Sequence, residues 1–267
     1  MQLPSFVRIS LFGLVASTLF LTTSCGKDEV TPVPDPQPSP VETGTIKLEF
    51  KHKVDTAALV FGKNYVNAKG DTFKVSKFNY YISNIRLVKS DNSVYSETNS
   101  YHMVKHSQAA STIISLTNIP PGAYTSVSFM LGVDSARNVS GAQSGDLDPA
   151  VASDMYWSWN SGYIFLKMEG TSPKSGEVSK NLEYHIGGYG GVNKTQRSFN
   201  FNFGSSNANV STSATPALEI GVNLNEIFVS PNLIDVSTQH TIVSPGPNAK
   251  LMADNYANML YFIKVRN

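Results

Sequence analysis

The histidines and tryptophans are the residues of this chain whose chemistry points most directly to a function. The 267 residues include five histidines, two tryptophans and one cysteine. Imidazole is a common protein ligand for copper and zinc. A single cysteine excludes an intrachain disulfide framework and any zinc or iron–sulfur site built from several cysteines. The sequence therefore directs attention to metal binding by histidine and to recognition by aromatic side chains.

His52 lies in an alternating segment, TIKLEFKHKV, which begins at Thr45. Its position predicts that it shares one face of a strand with Ile46, Leu48 and Phe50, and we assign that face to the core. A buried neutral imidazole must have hydrogen-bond partners or bind a ligand. Two interpretations are open: a core histidine bonded to a backbone carbonyl, and a metal ligand.

The remaining histidines carry weaker signals when each is taken alone. His185 ends a predicted strand just before a glycine-rich loop, Gly187–Gln196, where the backbone can approach a ligand closely. A surface histidine at a turn fits His185 equally well. His102 and His106 are four residues apart, which on a strand gives one face but a separation of about 13 Å. We therefore expect no joint metal site made by His102 and His106.

Both tryptophans, Trp157 and Trp159, lie in the segment MYWSWNSGY. They suit aromatic packing under a loop, a platform that stacks against carbohydrate, or an aromatic cluster beside a redox metal. The long predicted loop from Asp134 to Asp154 contains enough oxygen ligands for calcium, but the EF-hand spacing is missing. Solvated loop acids are the default interpretation of that segment.

Several classes of function are excluded or disfavoured by the sequence. The motifs GxSxG, HExxH, GxGxxG and the P-loop are not found. The formal net charge is +1, and without a basic tract the chain has no electrostatic footprint for nucleic acid. We expect a binding protein, not an enzyme.

The N-terminal region resembles a bacterial export signal. Arg8 precedes an apolar run, Ile9–Leu21, which is too short to span a bilayer comfortably. Small residues follow and lead to Cys25, the only cysteine, in an arrangement that resembles a lipobox. We predict a signal peptide over residues 1–24 and lipidation of Cys25.

Residues 25–44 are predicted to form an anchor and a stalk. The sequence KDE at positions 27–29 resembles an export tag of Bacteroidetes-type surface lipoproteins. Prolines then alternate through TPVPDPQPSP, residues 31–40, which favours an extended polyproline II segment. We expect an outer-membrane lipoprotein on the cell surface, attached to the membrane by its lipid alone. A domain that faces the periplasm is the alternative.

The elements that position these side chains are predicted to be short strands separated by glycine- and proline-containing turns. Helical spacing is confined to Asn248–Met259, with one helical turn at Leu224–Phe228. The predicted strands include Thr45–Val54, Thr72–Phe78, Tyr80–Val88, Tyr101–Val104, Tyr124–Val133, Tyr163–Glu169, Leu182–Ile186 and Leu218–Leu224. We predict an all-β, β-sandwich-like single domain over residues 45–267, with long loops and little helix.

Several segments, taken in order, resemble one family, the MbnP-like copper-binding proteins. These are related to the methanobactin-associated and surface copper proteins of methane-oxidising bacteria. No single segment is diagnostic, and the resemblance rests on the ordered set. The matching segments are LEFKHKV at 48–54, FNYYISNIRL at 78–87, IPPGAY at 119–124, FMLGVD at 129–134, MYWSW at 155–159, GYIFLKMEG at 162–170 and YHIG at 184–187.

The resemblance implies a β-sandwich-like domain that binds one copper ion through two histidines. His52 and His185 match the two histidine positions. Trp157 or Trp159 matches a tryptophan that relatives oxidise to kynurenine, with a di-haem peroxidase-like partner. The implied function is capture or buffering of copper at the cell envelope. The alternative is a glycan-binding or adhesive surface β-sandwich without a metal.

Overall fold

The computed structural model of the chain describes residues 42–140, 143–159 and 162–267. The predicted signal peptide, the lipidation of Cys25 and the proline-rich stalk lie outside the described residues. The strands are β1 Gly44–Val54, β2 Ala57–Ala58, β3 Tyr65–Val66, β4 Thr72–Lys89, β5 Val94–Ser96, β6 Tyr101–Lys105, β7 Ile113–Ile119, β8 Gly122–Leu131, β9 Tyr156–Trp157, β10 Gly162–Tyr163, β11 Leu166–Thr171, β12 Asn181–Ile186, β13 Arg197–Asn202, β14 Ala208–Val210, β15 Ala217–Asn223, β16 Thr241–Ile242 and β17 Leu260–Arg266.

Helix is limited to short pieces in the described residues. The two α-helices are α1 Ser135–Asn138 and α2 Pro247–Tyr256, and 3₁₀ turns lie at Ala109–Thr112, Gly145–Leu147, Ser153–Met155, Gly191–Asn193 and Leu224–Phe228. None of the helices in the described part of the chain has the length and apolar character needed to cross a membrane.

Two sheets make up most of the fold. In the smaller one, β1 runs parallel to β15 and antiparallel to β2 and β7, and β17 pairs with β15. In the larger sheet, the central strand is β4. Strands β11 and β8 pair with successive parts of one edge of β4, and β6 pairs with the opposite edge. The path continues from β11 to β12 and β16, and from β8 to β13.

The core lies between these two sheets. Phe50 of β1 contacts Tyr80 of β4 and Phe129 of β8, with ring centroids 6.0 and 6.1 Å apart. Both contacts are edge-to-face, the geometry that aromatic rings favour. Ile46, Leu48 and Phe50 are all buried, as the alternation in β1 predicts. The all-β, sandwich-like prediction is confirmed.

The largest difference from the predicted elements concerns β4. Two strands were expected, Thr72–Phe78 and Tyr80–Val88, but one strand of 18 residues runs from Thr72 to Lys89. Asn79, where the prediction placed the break, pairs with Lys105 on one side and Lys167 on the other. Both faces of the strand are covered here, so the hydrophobic alternation on which the prediction depends is lost.

The pairing of β4 with β11 is irregular at Gly170, which gives a test of the fold. A Cβ atom on Gly170 would lie 1.9 Å from the Lys74 carbonyl oxygen, and a backbone atom in a paired strand cannot easily move away. We expect Gly170→Ala to lower the free energy of unfolding by about 2 kcal/mol or more, measured by urea denaturation. Gly190→Ala is the matched control, because a Cβ there meets nothing within 4 Å. Equal stability of the two variants would contradict the irregular pairing.

Candidate metal centre

His52 is buried between the two sheets, near the C-terminal end of β1. Its residue is 9% exposed, which places it on the core face as predicted from the sequence. Its ring contacts Phe78 and Tyr80 of β4 edge-to-face, with centroids 5.3 and 5.6 Å away. The aromatic walls exclude water from two sides of the imidazole, so its polar atoms need partners within the protein.

His106 supplies one of those partners. It directly follows β6, and its backbone N–H donates to the Phe78 carbonyl oxygen at 2.9 Å, so it extends the pairing of β6 with β4. Its ring reaches across to the other sheet and meets His52, with the two Nδ1 atoms 2.9 Å apart. Phe61, from the segment after β2, packs against the His106 ring at 4.8 Å. Two histidines from different sheets therefore converge on one point.

The second ring nitrogen of His52 meets a buried hydroxyl. The Nε2 atom of His52 lies 2.8 Å from the Tyr80 hydroxyl oxygen. Only one hydrogen can lie between the two Nδ1 atoms, so one imidazole donates there and the other accepts. Because a hydroxyl can either donate or accept, Tyr80 satisfies Nε2 of His52 in either tautomer.

Both imidazoles are held in the neutral form that can bind a metal. Burial, together with the nearby charge of protonated His106, lowers the pKa of His52 to about 3. Burial also lowers the pKa of His106, against an opposing hydrogen bond to the Leu59 backbone. A metal ligand must have a free nitrogen lone pair. At neutral pH the pair can therefore present both Nδ1 atoms to a metal without a net loss of protons, once the hydrogen between them moves to the other nitrogen of its ring.

The spacing of the two nitrogens fits neighbouring ligands of one ion. Nitrogens that each lie about 2.0 Å from a metal are separated by about 2.8 Å at a right angle and about 3.3 Å at the tetrahedral angle. The observed Nδ1 separation is 2.9 Å. In the described part of the chain, no group of three His, Cys, Asp or Glu side chains converges on a point. The donor set is thus two neutral imidazoles without a carboxylate, which suits copper better than calcium or magnesium.

His185 lies elsewhere, in a network of charges. Its Nε2 atom is 2.9 Å from Oε1 of Glu169. The same oxygen lies 3.3 Å from the Lys167 ammonium, and Oε2 of Glu169 lies 3.6 Å from the Lys77 ammonium. Burial and the positive charge of Lys167 lower the pKa of His185, while its bond to Glu169 acts in the opposite direction. Its partner is a carboxylate held by two lysines.

The strand register separates His185 from His52. His185 pairs with Lys167, and Lys167 pairs with Asn79, so these three side chains share one face of the larger sheet. Tyr80, the next residue along β4, points to the opposite face, where its hydroxyl meets His52. The register therefore does not bring His185 to His52, contrary to the expected pairing of the two. His106, which was considered only as a partner of His102, meets His52 instead.

The tryptophans also lie apart from the histidine pair. Trp157, on β9, is in contact with Trp159 at a centroid distance of 5.7 Å, and its ring lies where a Cβ atom on Gly187 would be. Among the described residues, the aromatic rings in contact with the pair are Phe61, Phe78 and Tyr80. Neither Trp157 nor Trp159 is among them.

The acids of the predicted loop each have a partner within the protein. Asp134 accepts a bond from the Tyr101 hydroxyl and caps α1, Asp146 accepts from the Met103 backbone at 2.7 Å, and Asp154 pairs with Lys77 at 3.2 Å. They do not converge on a cation site in the described residues. The structure gives no support for calcium binding here.

Strand parity in the sequence is the one signal that places His106 on an inward face. His106 has the same strand parity as Val104, which is fully buried, and it follows the strand end directly. His102 was its only candidate partner along the chain, yet His102 pairs with Glu97 at 2.8 Å. A histidine at a strand end on the inward parity can meet a residue from another sheet.

Comparison with known proteins assigns the chain to a family. A family model described as MbnP matches residues 43–250. Among solved structures, MbnP from Methylosinus trichosporium is similar, with a TM-score of 0.52 and 16% identity over 76% of this chain and 84% of that one. At this identity the structural match speaks for the fold alone. No curated protein sequence matches the chain.

The buried pair predicts a pH dependence of stability in the metal-free protein. Unfolded His52 titrates near its ordinary pKa of 6.5, while in the folded protein its pKa is about 3. The unfolded state therefore binds the proton first, and the stability present above pH 6.5 is lost as the pH falls towards 3. The loss from His52 should reach about 2 kcal/mol at pH 5.

Urea unfolding at pH 7 and pH 5 measures this loss. His52→Leu, which removes the titrating group, should show a smaller difference between the two pH values than the wild type. His240→Gln is the control, since His240 lies at a turn where Nδ1 is 3.2 Å from the Ser237 carbonyl oxygen. An unchanged difference in His52→Leu would contradict the depressed pKa.

Proposed function

Because the chain belongs to the MbnP family, we propose that it binds one copper ion and that His52 and His106 are the ligands. The observation that carries the proposal is the pair of Nδ1 atoms 2.9 Å apart. They belong to neutral imidazoles that pack against aromatic rings. This pair replaces the one made by His52 and His185.

The surroundings of the pair support copper over harder cations. The walls are the rings of Phe61, Phe78 and Tyr80. Imidazole ligands without carboxylate suit copper, whereas calcium and magnesium prefer several oxygen atoms. The two Nδ1 atoms would hold the ion, so neither of them could carry a hydrogen, and His52 would carry its proton on Nε2. Tyr80 is positioned to accept that proton in a hydrogen bond, the arrangement by which metal-binding histidines are usually oriented.

The proposed role is capture or buffering of copper at the cell envelope, by a binding protein that is not an enzyme. The support for the location is the N-terminal sequence, in which the apolar run, Cys25 and the proline-rich stalk resemble those of an exported lipoprotein. The proposal requires neither an oxidised tryptophan nor a peroxidase-like partner, because Trp157 and Trp159 contact each other and not the pair.

Copper binding by single-histidine variants tests the ligand assignment. We expect the protein to bind one copper per chain, measured by metal analysis after gel filtration and by competition with a chelator of known affinity. His52→Ala and His106→Ala should each weaken binding at least about 100-fold, because each removes a ligand. His185→Ala and His102→Ala are matched controls and should bind like the wild type. Loss of copper in His185→Ala with retention in His106→Ala would overturn the assignment.

Tyr80→Phe tests the orienting hydrogen bond. The variant keeps the aromatic wall but removes the oxygen partner of His52 Nε2. Copper affinity should fall roughly 10- to 100-fold with the one-to-one stoichiometry retained. Tyr124→Phe is the control, because it loses a buried hydroxyl bonded to the Pro120 carbonyl oxygen without touching the pair. Equal copper affinity of the two variants would contradict a role for Tyr80.

A further inference from the structure

A second pocket lies beside the tryptophans, away from the histidine pair. Its volume is about 330 Å³, and its lining includes three aromatic residues and one amide, namely Trp157, Tyr163, Tyr189 and Asn193. The remaining lining residues are glycines and a proline. This volume is at the lower end of the range for small-molecule sites.

The two tryptophans differ in exposure: Trp157 is buried, and Trp159 packs against it at the surface. Trp157 is 6% exposed, and its ring occupies the space that a side chain on residue 187 would need, with a Cβ on Gly187 only 2.7 Å from it. Trp159 leans on Trp157 at an interplanar angle of 47° and remains 65% exposed. A large aromatic ring is thus held at the surface next to a pocket.

The lining is uncharged and offers hydrogen bonds through backbone and amide groups. No Asp, Glu, Lys, Arg or His is among the lining residues. Glycine lets a ligand approach the backbone closely because it has no side chain, and Gly188 and Gly190 border the pocket. The Asn193 amide provides both donors and an acceptor. A charged ligand would find no counter-ion here.

We propose that this pocket binds a neutral saccharide, with one sugar ring stacked on Trp159 and its hydroxyls bonded to Asn193 and the glycine backbone. A sugar has an apolar C–H face and a rim of hydroxyls, which matches an exposed ring beside uncharged polar groups. A protein partner needs a larger contact surface than this pocket offers. The site does not depend on the copper proposal, because it shares no residue with the His52–His106 pair.

Tryptophan fluorescence can test this proposal without a label, because the chain contains only two tryptophans. Trp157 lines the pocket, and Trp159 is in contact with Trp157. The full-length protein is titrated with maltose, cellobiose, lactose and N,N′-diacetylchitobiose, with sodium glucuronate as the charged comparison. We expect at least one neutral disaccharide to give a saturable change, with a dissociation constant on the order of millimolar, and glucuronate to give none.

Variants assign the effect to the pocket. Trp159→Ala and Asn193→Ala should each weaken binding about tenfold or more, measured by calorimetry, and Trp159→Phe should keep most of the affinity because a ring remains. His52→Ala should bind sugar like the wild type, which separates this test from the copper proposal. Absence of binding by every neutral disaccharide, binding of glucuronate alone, or unchanged affinity in Trp159→Ala would overturn the proposal.

Discussion

The burial of His52 between two sheets is the constraint on which the candidate centre depends. An imidazole without water must have a partner at each ring nitrogen, or its burial costs more than its packing contributes. His106 and Tyr80 provide those partners, at 2.9 and 2.8 Å. The same burial keeps the two rings neutral at physiological pH. Thus the need of a buried imidazole for hydrogen-bond partners produces an arrangement that is also suited to binding a metal.

The central strand β4 connects this requirement to the rest of the fold. On its inner face, Phe78 and Tyr80 form the walls around His52. On the other face, the Lys77 ammonium forms an ion pair with Asp154 at 3.2 Å. This ion pair connects β4 to the segment that precedes Trp157. The neighbouring Lys167 donates to the Asp154 carbonyl oxygen at 2.7 Å. One sheet therefore has neutral imidazoles on one face and a network of lysines and carboxylates on the other.

This charge network explains the position of His185. A histidine beside Glu169, itself held by Lys77 and Lys167, has a strong local partner. Its bond to that carboxylate fixes the orientation of the ring. His185 therefore has a structural explanation in this fold, as a member of an ion-pair network that ties β11 and β12 to the segment before Trp157.

Local pattern was enough to predict the fold class, the core face of β1 and the helix near residues 247–256. Alternation with a period of two places His52 inward, and it is indeed buried; the family was also recognisable from the order of short segments. These features depend on residues close in sequence. Where both faces of a strand are covered, as at Asn79, the alternation disappears and the predicted break in β4 was wrong.

The identity of the second histidine was decided only by the tertiary structure. Strand parity tells which face a side chain occupies, but it does not tell which strand of another sheet lies opposite. His106 meets His52 because β6 pairs with the far edge of β4 while β1 packs across the core from it, and 54 positions separate the two histidines. His185 pairs with Lys167, which pairs with Asn79, so His185 shares the face of Asn79. Because successive side chains of a strand point to opposite faces, that face is the one opposite to Tyr80 and His52. Long-range register, which no local spacing encodes, separates the two histidines first expected to pair and brings together two that were not.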